Sequence, residues 1–340
     1  LRSTQPTPHY RPPMKAISIT DDNQLIWQNT PSPLDATPLQ PQQVAINVKA
    51  TAVNRADIMQ RKGVYPAPPG ASNILGLECA GEISAIGRDV TQWKVGDKVC
   101  ALLAGGGYAE TVVCAASHVL PIPNGFSFEQ AAALPEVFAT AWLNIFMEAN
   151  LQPNESVLCH AGASGVGTAA IQLCHQFGHK CYISVGSDEK LEFCRSLGAT
   201  DGINRHNENI QEHIKTWTQG KGVDVILDPV GGDSFENNIR CLNTDGRMVM
   251  IGIMAGRKST IDLGRLLIKR LSVVGSTLRS RNDDYKSRLI TELSEKVWPL
   301  FETGQLKPII EAQFPITEAE KAFALIESNN TTGKVILTIN

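Results

Sequence analysis

Apolar and polar residues alternate roughly from Val44 to Val53, and two further short apolar runs, Ile74 to Ile86 and Lys98 to Val113, are broken by Gly76, Gly81, Gly87 and the Gly105-Gly106-Gly107 turn. Period-two spacing with glycine punctuation predicts short strands of an antiparallel, partly barrel-like domain. The texture changes near Phe126. Glu129 to Asn150 is rich in alanine with apolar residues at helical spacing, interrupted at Pro135. Strand-like and helix-like segments then alternate: Cys181 to Val185, Lys190 to Leu197, Gly202 to Asn204, Ile210 to Thr218, Val223 to Asp228, Phe235 to Leu242, Arg247 to Ile253 and Leu271 to Leu278. A continuous apolar strand such as Val223 to Asp228 suits a parallel sheet covered on both faces, so this part reads as a doubly wound α/β unit. The tail gives one helix from about Asp283, a linker at Phe314-Pro315-Ile316 with a second helix, and a final strand to Ile339 that is expected to rejoin the first domain. The cofactor-type unit is then an insertion in a discontinuous domain, with a cleft between the two.

The α/β unit opens on a glycine turn. Glu155 to His160 is a short apolar strand, Ala161 to Gly167 carries three glycines, and Thr168 to Phe177 continues with helical spacing. Amides at a helix N-terminus hold a pyrophosphate where no side chain blocks the approach. The match to G-x-G-x-x-G is imperfect, because Ser164 stands between Gly162 and Gly167 where the middle glycine belongs. Alone, the pattern fits a ligand-free turn equally well. The following strand ends Ser184-Val185-Gly186-Ser187, with Gly186 where an NAD-binding Rossmann unit has an acidic residue. Glycine leaves room for a 2′-phosphate, Ser187 can donate to it, and Lys190 and Arg205 can bring positive charge. This predicts NADPH, although Lys190 also reads as an ordinary exposed helix lysine and Asp188 lies close to both cations.

At 340 residues the chain suggests two domains, and a net charge of −3 gives no basic field for nucleic acid. No apolar run reaches the length of a membrane-spanning helix. Eight scattered cysteines without a C-x-x-C pair favour a reducing, cytoplasmic setting. Residues 1–13 read as an extension or cloning remnant ahead of Met14, and the sequons at Asn154, Asn329 and Asn330 as chance matches. His160, Cys159, Cys174 and Cys194 read as packing residues.

The run Ala52 to Pro66, with Gly70 to Glu78, His160 to Gly167, Asp228 to Gly232 and Leu278 to Arg281, resembles the zinc-independent quinone oxidoreductase branch of the medium-chain dehydrogenase/reductase superfamily. The likeness spans residues 14 to 340 and includes Ser164. It implies a GroES-like catalytic domain of residues 14–135 plus 279–340 and a Rossmann domain of 136–278. Zinc-dependent relatives carry a cysteine near the Asn54 segment and a Gly-His-Glu motif; this chain has Asn54-Arg55 and Gly76-Leu77-Glu78, so no catalytic zinc is expected. By resemblance, Asn54 and Thr140 approach the nicotinamide, Ser164, Gly165 and Val166 the pyrophosphate, Gly252, Ile253, Leu278, Arg279 and Ser280 the remaining cofactor surface, and Lys334 closes over the nicotinamide side. Tyr65, with Asn54, is the catalytic candidate; its phenol can stack on a quinone or donate a proton, or it simply caps a proline-rich loop. Asp57 orients Asn54 or Arg55, or forms a structural salt link. The expected activity is hydride transfer from NADPH to a quinone. The alternatives are reduction of an activated enone or enal double bond, and a low-turnover NADPH-binding redox sensor. A homodimer or tetramer is expected, paired through the Leu271 to Leu278 strand.

Overall fold

The computed structural model describes residues 13–340; the extension expected at residues 1–13 therefore lies almost wholly outside the described residues. A hairpin of Met14–Ile19 with Leu25–Thr30 leads into a seven-stranded sheet. Its long strand, Gln43–Val53, pairs antiparallel with Glu78–Ile86, with Thr111–Ala115 and, near its end, with the last strand of the chain, Lys334–Thr338. The expected return of the tail is thus observed as a register of Val335 with Val53 and Thr338 with Ala50.

The second sheet is wholly parallel, in the order Asp201–Asn204, Lys180–Val185, Ser156–His160, Val223–Asp228, Leu242–Met250, Ser272–Gly275. In sequence order this is 3-2-1-4-5-6, which places the reversal of direction, and hence a ligand crevice, at the end of Ser156–His160. The central strands Lys180–Val185, Ser156–His160 and Val223–Asp228 are largely buried because helices cover both faces, whereas the edge strand Ser272–Gly275 is mostly exposed.

Several boundaries differ from expectation. Leu242–Met250 begins earlier than Arg247, with a register shift against Val223–Asp228 in the stretch that holds Asp245 at a φ of 61°, and ends before Gly252. Ser272–Gly275 is shorter than Leu271 to Leu278; the chain then turns towards the other sheet, with Leu278 buried. The Phe314-Pro315-Ile316 linker is the end of an unanticipated edge strand, Ile310–Pro315, whose faces alternate between half-buried and exposed. Helices Arg55–Arg61 and Leu263–Ile268 are also additions. The alanine-rich stretch forms Phe128–Ala132 and Pro135–Trp142, the latter continuing as a π-helical turn over Leu143–Glu148. Phe138 of that segment packs edge-on to Phe301 from the tail, with ring centroids 4.9 Å apart, inside one core cluster shared by both sheets.

Candidate active site

The glycine turn lies where the two sheets meet. Ala161 takes a φ of 54°, and a side chain at position 167 would put its first carbon 2.4 Å from the Ala161 oxygen, so only glycine closes this turn. Ser164 caps helix Gly165–Gln176, its hydroxyl accepting the Gly167 amide at 3.0 Å. The expected pyrophosphate residues Ser164, Gly165 and Val166 therefore form a helix N-terminus whose first turn is ordered by the serine in the glycine's place. Gly333 joins the turn from the tail, donating its amide to the Ala163 oxygen at 2.8 Å.

Lys334, next in sequence, lays its stem against Gly165; a side chain there would meet Lys334 Cδ at 2.8 Å. Its ammonium turns inward. It pairs with Glu78 Oε1 at 2.7 Å and donates to Asn54 Oδ1 at 2.7 Å and the Val53 oxygen at 3.3 Å. Asn54 Nδ2 completes the ring by donating to Glu78 Oε1 at 2.9 Å, and the Glu136 amide donates to Glu78 Oε2 at 2.9 Å. Glu78 is fully buried and Lys334 is 4% exposed, so this charge pair is sealed between the sheets. Asn54 and Lys334 are thus brought together, with both polar ends engaged by protein. Asp57 accepts from the amides of Asn54 and Gly76 and from the Tyr108 hydroxyl, and bonds neither Arg55 nor the Asn54 side chain. Burial pushes its carboxyl up to about 6, against the pull of those donors.

The wall facing this ring holds Glu136 and Thr140, one turn apart on helix Pro135–Trp142 and half-buried between buried neighbours. Across from it, Arg279 is 4% exposed. Its Nε donates to the Ala104 oxygen and its Nη2 to Gln60 Oε1, both at 2.7 Å. Its guanidinium carbon stands 5.7 Å from the centre of the Tyr65 ring. The side chain therefore belongs to the catalytic-domain wall. Leu278 points into the core, Ser280 is exposed with its hydroxyl 2.9 Å from that of Thr277, and Gly252 and Ile253 lie on an exposed loop after Leu242–Met250. Sequence reasoning missed Glu136, whose place beside Pro135 carries no pattern that marks a site, and noted Glu78 only as the last residue of Gly76-Leu77-Glu78, not as the partner of Lys334.

At the outer end, Gly186, Ser187, Lys190 and Arg205 line one cavity of about 970 Å³, together with Lys307, Asn329 and Thr332 from the opposite domain. A side chain at position 186 would meet the Arg205 guanidinium at 3.0 Å, so the missing Cβ is what lets the arginine lie over the strand end. Ser187 caps helix Asp188–Ser196, and Lys190 Nζ reaches across to the Asn329 oxygen at 3.0 Å. Burial and then the neighbouring Arg205 charge lower the Lys190 ammonium from its ordinary value. Lys307 was not anticipated, since it comes from a loop far away in sequence.

His160 is 7% exposed, with its ring nitrogens 2.7 Å from Ser184 Oγ and 2.6 Å from Asn238 Oδ1, and burial lowers its pKa. It is a packed residue. All eight cysteines are buried and unpaired.

Residues 40–124 match the alcohol dehydrogenase GroES-like domain and residues 165–295 the zinc-binding dehydrogenase family. The chain is 34% identical to a quinone oxidoreductase of Pseudomonas aeruginosa over 87% of its own length and 91% of the relative's. The chain belongs to the medium-chain dehydrogenase/reductase superfamily, in its zinc-independent quinone oxidoreductase-like branch. It is also 33% identical to the synaptic vesicle membrane protein VAT-1 homolog of Danio rerio over 87% of its length, and spans 64% of that protein. The Escherichia coli quinone oxidoreductase solved with NADPH superposes with a TM-score of 0.83 at 29% identity, over 97% of this chain and 100% of that one. The fold and the class, a nicotinamide-dependent oxidoreductase, follow. Where the wider family's zinc ligands belong, this chain has Asn54, the buried Leu77 and a Glu78 already paired with the Lys334 ammonium. No helix among the described residues is long and apolar enough to cross a membrane.

Proposed function

We propose that the protein is an NADPH-dependent quinone reductase. The carrying observation is the outer cavity, where Arg205 lies over a strand end with no carboxylate and Lys190 stands beside it. Two cations at the position where NAD-binding relatives place an acid are a donor set for a 2′-phosphate. The Gly165–Gln176 N-terminus would hold the pyrophosphate, and Asn54, Thr140 and the Lys334 stem would border the nicotinamide end. Bound there, NADPH supplies a hydride. The chain's own part is to hold ring and acceptor together and to exclude water, which suits an acceptor that is already electrophilic.

The Lys334–Glu78 pair and Asn54 fix the floor, and Tyr65 offers an aromatic face for a flat acceptor. We place the domain boundaries at 135/136 and 278/279. We also propose a homodimer: beside the edge strand Ser272–Gly275, Leu267 and Ile268 are each 78% exposed, an apolar surface that a second copy would cover. Buried, unpaired cysteines suit a reducing cytoplasm.

The test is steady-state oxidation of NADPH and NADH with a panel of o- and p-quinones, 2-enals and an enoyl thioester, with and without EDTA. Quinone turnover preferring NADPH and indifferent to EDTA is expected. Equal use of NADH overturns the cofactor assignment. Preference for the enal or thioester replaces the quinone with a double-bond substrate, and tight NADPH binding without turnover makes the protein a sensor.

A further inference from the structure

Arg279 is held at two of its three nitrogens, while Nη1 is buried with no acceptor among the described residues. A buried guanidinium nitrogen normally has a partner. The Tyr65 ring centre lies 5.7 Å from its guanidinium carbon, and the acidic groups acting on its charge are, largest first, Asp57, Tyr65 and Glu136. Glu136 in turn faces Glu78 from strand Glu78–Ile86, Asp57 from helix Arg55–Arg61, Lys334 from the last strand and Lys286 from helix Asp283–Glu292. Lys286 Nζ is turned to the Arg279 backbone oxygen at 2.8 Å, which ties the loop carrying Arg279 to that helix. The Glu136 side chain makes no hydrogen bond among the described residues, although its backbone amide is fixed to Glu78. The two facing walls of the cleft therefore carry, among the described residues, a cationic donor without an acceptor on one side and a carboxyl without a hydrogen bond on the other.

We propose that Arg279 and Glu136 form the acceptor-oxygen site: Arg279 Nη1 donates to the carbonyl oxygen that becomes negative during reduction, and Glu136 delivers the proton that neutralises it. This rests on the quinone-reductase reading above. The hydride brings two electrons and one hydrogen nucleus to the acceptor, whose carbonyl π electrons move onto oxygen. The O–H bond of Glu136 breaks, a new O–H bond forms on that oxygen, and water reprotonates the carboxylate. The substrates of such a site are planar acceptors whose reduced form is a phenolate or enolate.

The Tyr65 ring lies over the guanidinium, its centre 5.7 Å from the guanidinium carbon. It stands on an exposed loop between Gly63 and Gly70, with Val64 66% exposed. Burial raises its phenol above 10.0, so Tyr65 is a stacking surface and the carboxyl is the acid. Burial first, and the Glu78 carboxylate second, push Glu136 up to about 8; Lys334 and Lys286 pull the other way and Asp57 adds to the push. The acid form is present below that pH and is lost as pH rises through it.

The test uses full-length wild type, Glu136→Gln, Glu136→Asp, Arg279→Met and Arg279→Lys, with 1,4-naphthoquinone and NADPH. Wild-type kcat should fall above about pH 8, the limb should vanish in Glu136→Gln with a roughly 100-fold lower plateau, and Glu136→Asp should restore part of the rate. A second readout needs no cofactor. 4-Nitrophenol bound to wild type should ionise at a lower pH than free 4-nitrophenol, and Arg279→Met should abolish that shift. If Arg279→Met does not fold, Arg279→Lys is read the same way, with a smaller shift expected. An unchanged limb in Glu136→Gln, or an unchanged nitrophenol shift in the arginine variant, overturns the proposal. If wild type reduces no quinone, the functional reading fails, and the nitrophenol titration still decides whether the oxygen site exists.

Discussion

Replacing Lys334 with methionine keeps the stem that packs on Gly165 and removes only the ammonium. At the 2.7 Å separation of Lys334 and Glu78, an effective dielectric of ~20 gives an attraction of about 6 kcal/mol. Much of that offsets the cost of taking both ions out of water, so the net value of the pair is small while the cost of breaking it is not. In Lys334→Met, Glu78 keeps the Asn54 Nδ2 and Glu136 amide donors but has no cation within its fully buried site. The expected loss is about 3–5 kcal/mol. Lys334→Met with Glu78→Gln removes both charges and keeps an acceptor for Asn54, so it should return to within about 1–2 kcal/mol of wild type. Urea unfolding followed by tryptophan fluorescence and far-UV circular dichroism measures wild type, Lys334→Met, Glu78→Gln and the double variant. If Lys334→Met alone costs less than about 1 kcal/mol, Glu78 is not an uncompensated buried charge there. A double variant as unstable as the sum of the singles would equally refute the pairing.

Three further outcomes follow from the geometry. Gly186→Asp sets a carboxylate against the Arg205 guanidinium and the phosphate position, and should shift the NADPH-to-NADH dissociation-constant ratio about 10- to 100-fold towards NADH; an unchanged ratio in fluorescence titration would falsify the phosphate assignment. Ser164→Ala removes the cap on the Gly167 amide and should cost about 1 kcal/mol in urea unfolding, whereas Ser164→Val should also weaken NADPH binding by crowding the turn; equal NADPH affinity in wild type and the valine variant would disprove that placement. Leu267→Glu with Ile268→Glu puts charge on the exposed apolar helix and should convert a dimer into a monomer in light scattering, while an unaltered mass would show that the face lies outside the interface.

How much of this was legible depends on the range over which each residue acts. The doubly wound half was readable because buried parallel strands are continuous apolar runs and because the glycine turn and Gly186 are local features of one strand-turn-helix unit. Ile310–Pro315 was not, since an edge strand half-open to solvent lacks a full apolar face and its proline reads as a break. The site divides in the same way. Ser164, Gly186 and Ser187 act through the backbone at their own positions. Glu78, Glu136 and the orientation of Arg279 depend on contacts between residues up to 256 positions apart, as in the Lys334–Glu78 pair, and no sequence spacing encodes those. Arg279 shows the difference within a single residue: its motif suggested cofactor surface, while its guanidinium is held by Gln60 and Ala104 of the other wall.

The Lys334 ammonium also bears on how an acceptor can be activated. Glu78 sits where zinc-dependent relatives carry the last residue of Gly-His-Glu, and here it is neutralised by a side chain from the final strand. An ammonium enclosed by Glu78, Asn54 and the Val53 oxygen has three acceptors for its three donors, leaving none for a substrate oxygen. The positive charge at this position is therefore structural: it fixes Asn54, seals the junction of the two sheets and braces the glycine turn through Gly165. Polarisation of the acceptor has to come from another donor on the cleft wall. Arg279, whose Nη1 has no acceptor among the described residues, keeps a donor for that role. On the quinone-reductase reading proposed above, an acceptor in this cleft would need a donor and a proton at its oxygen during reduction, as a quinone does.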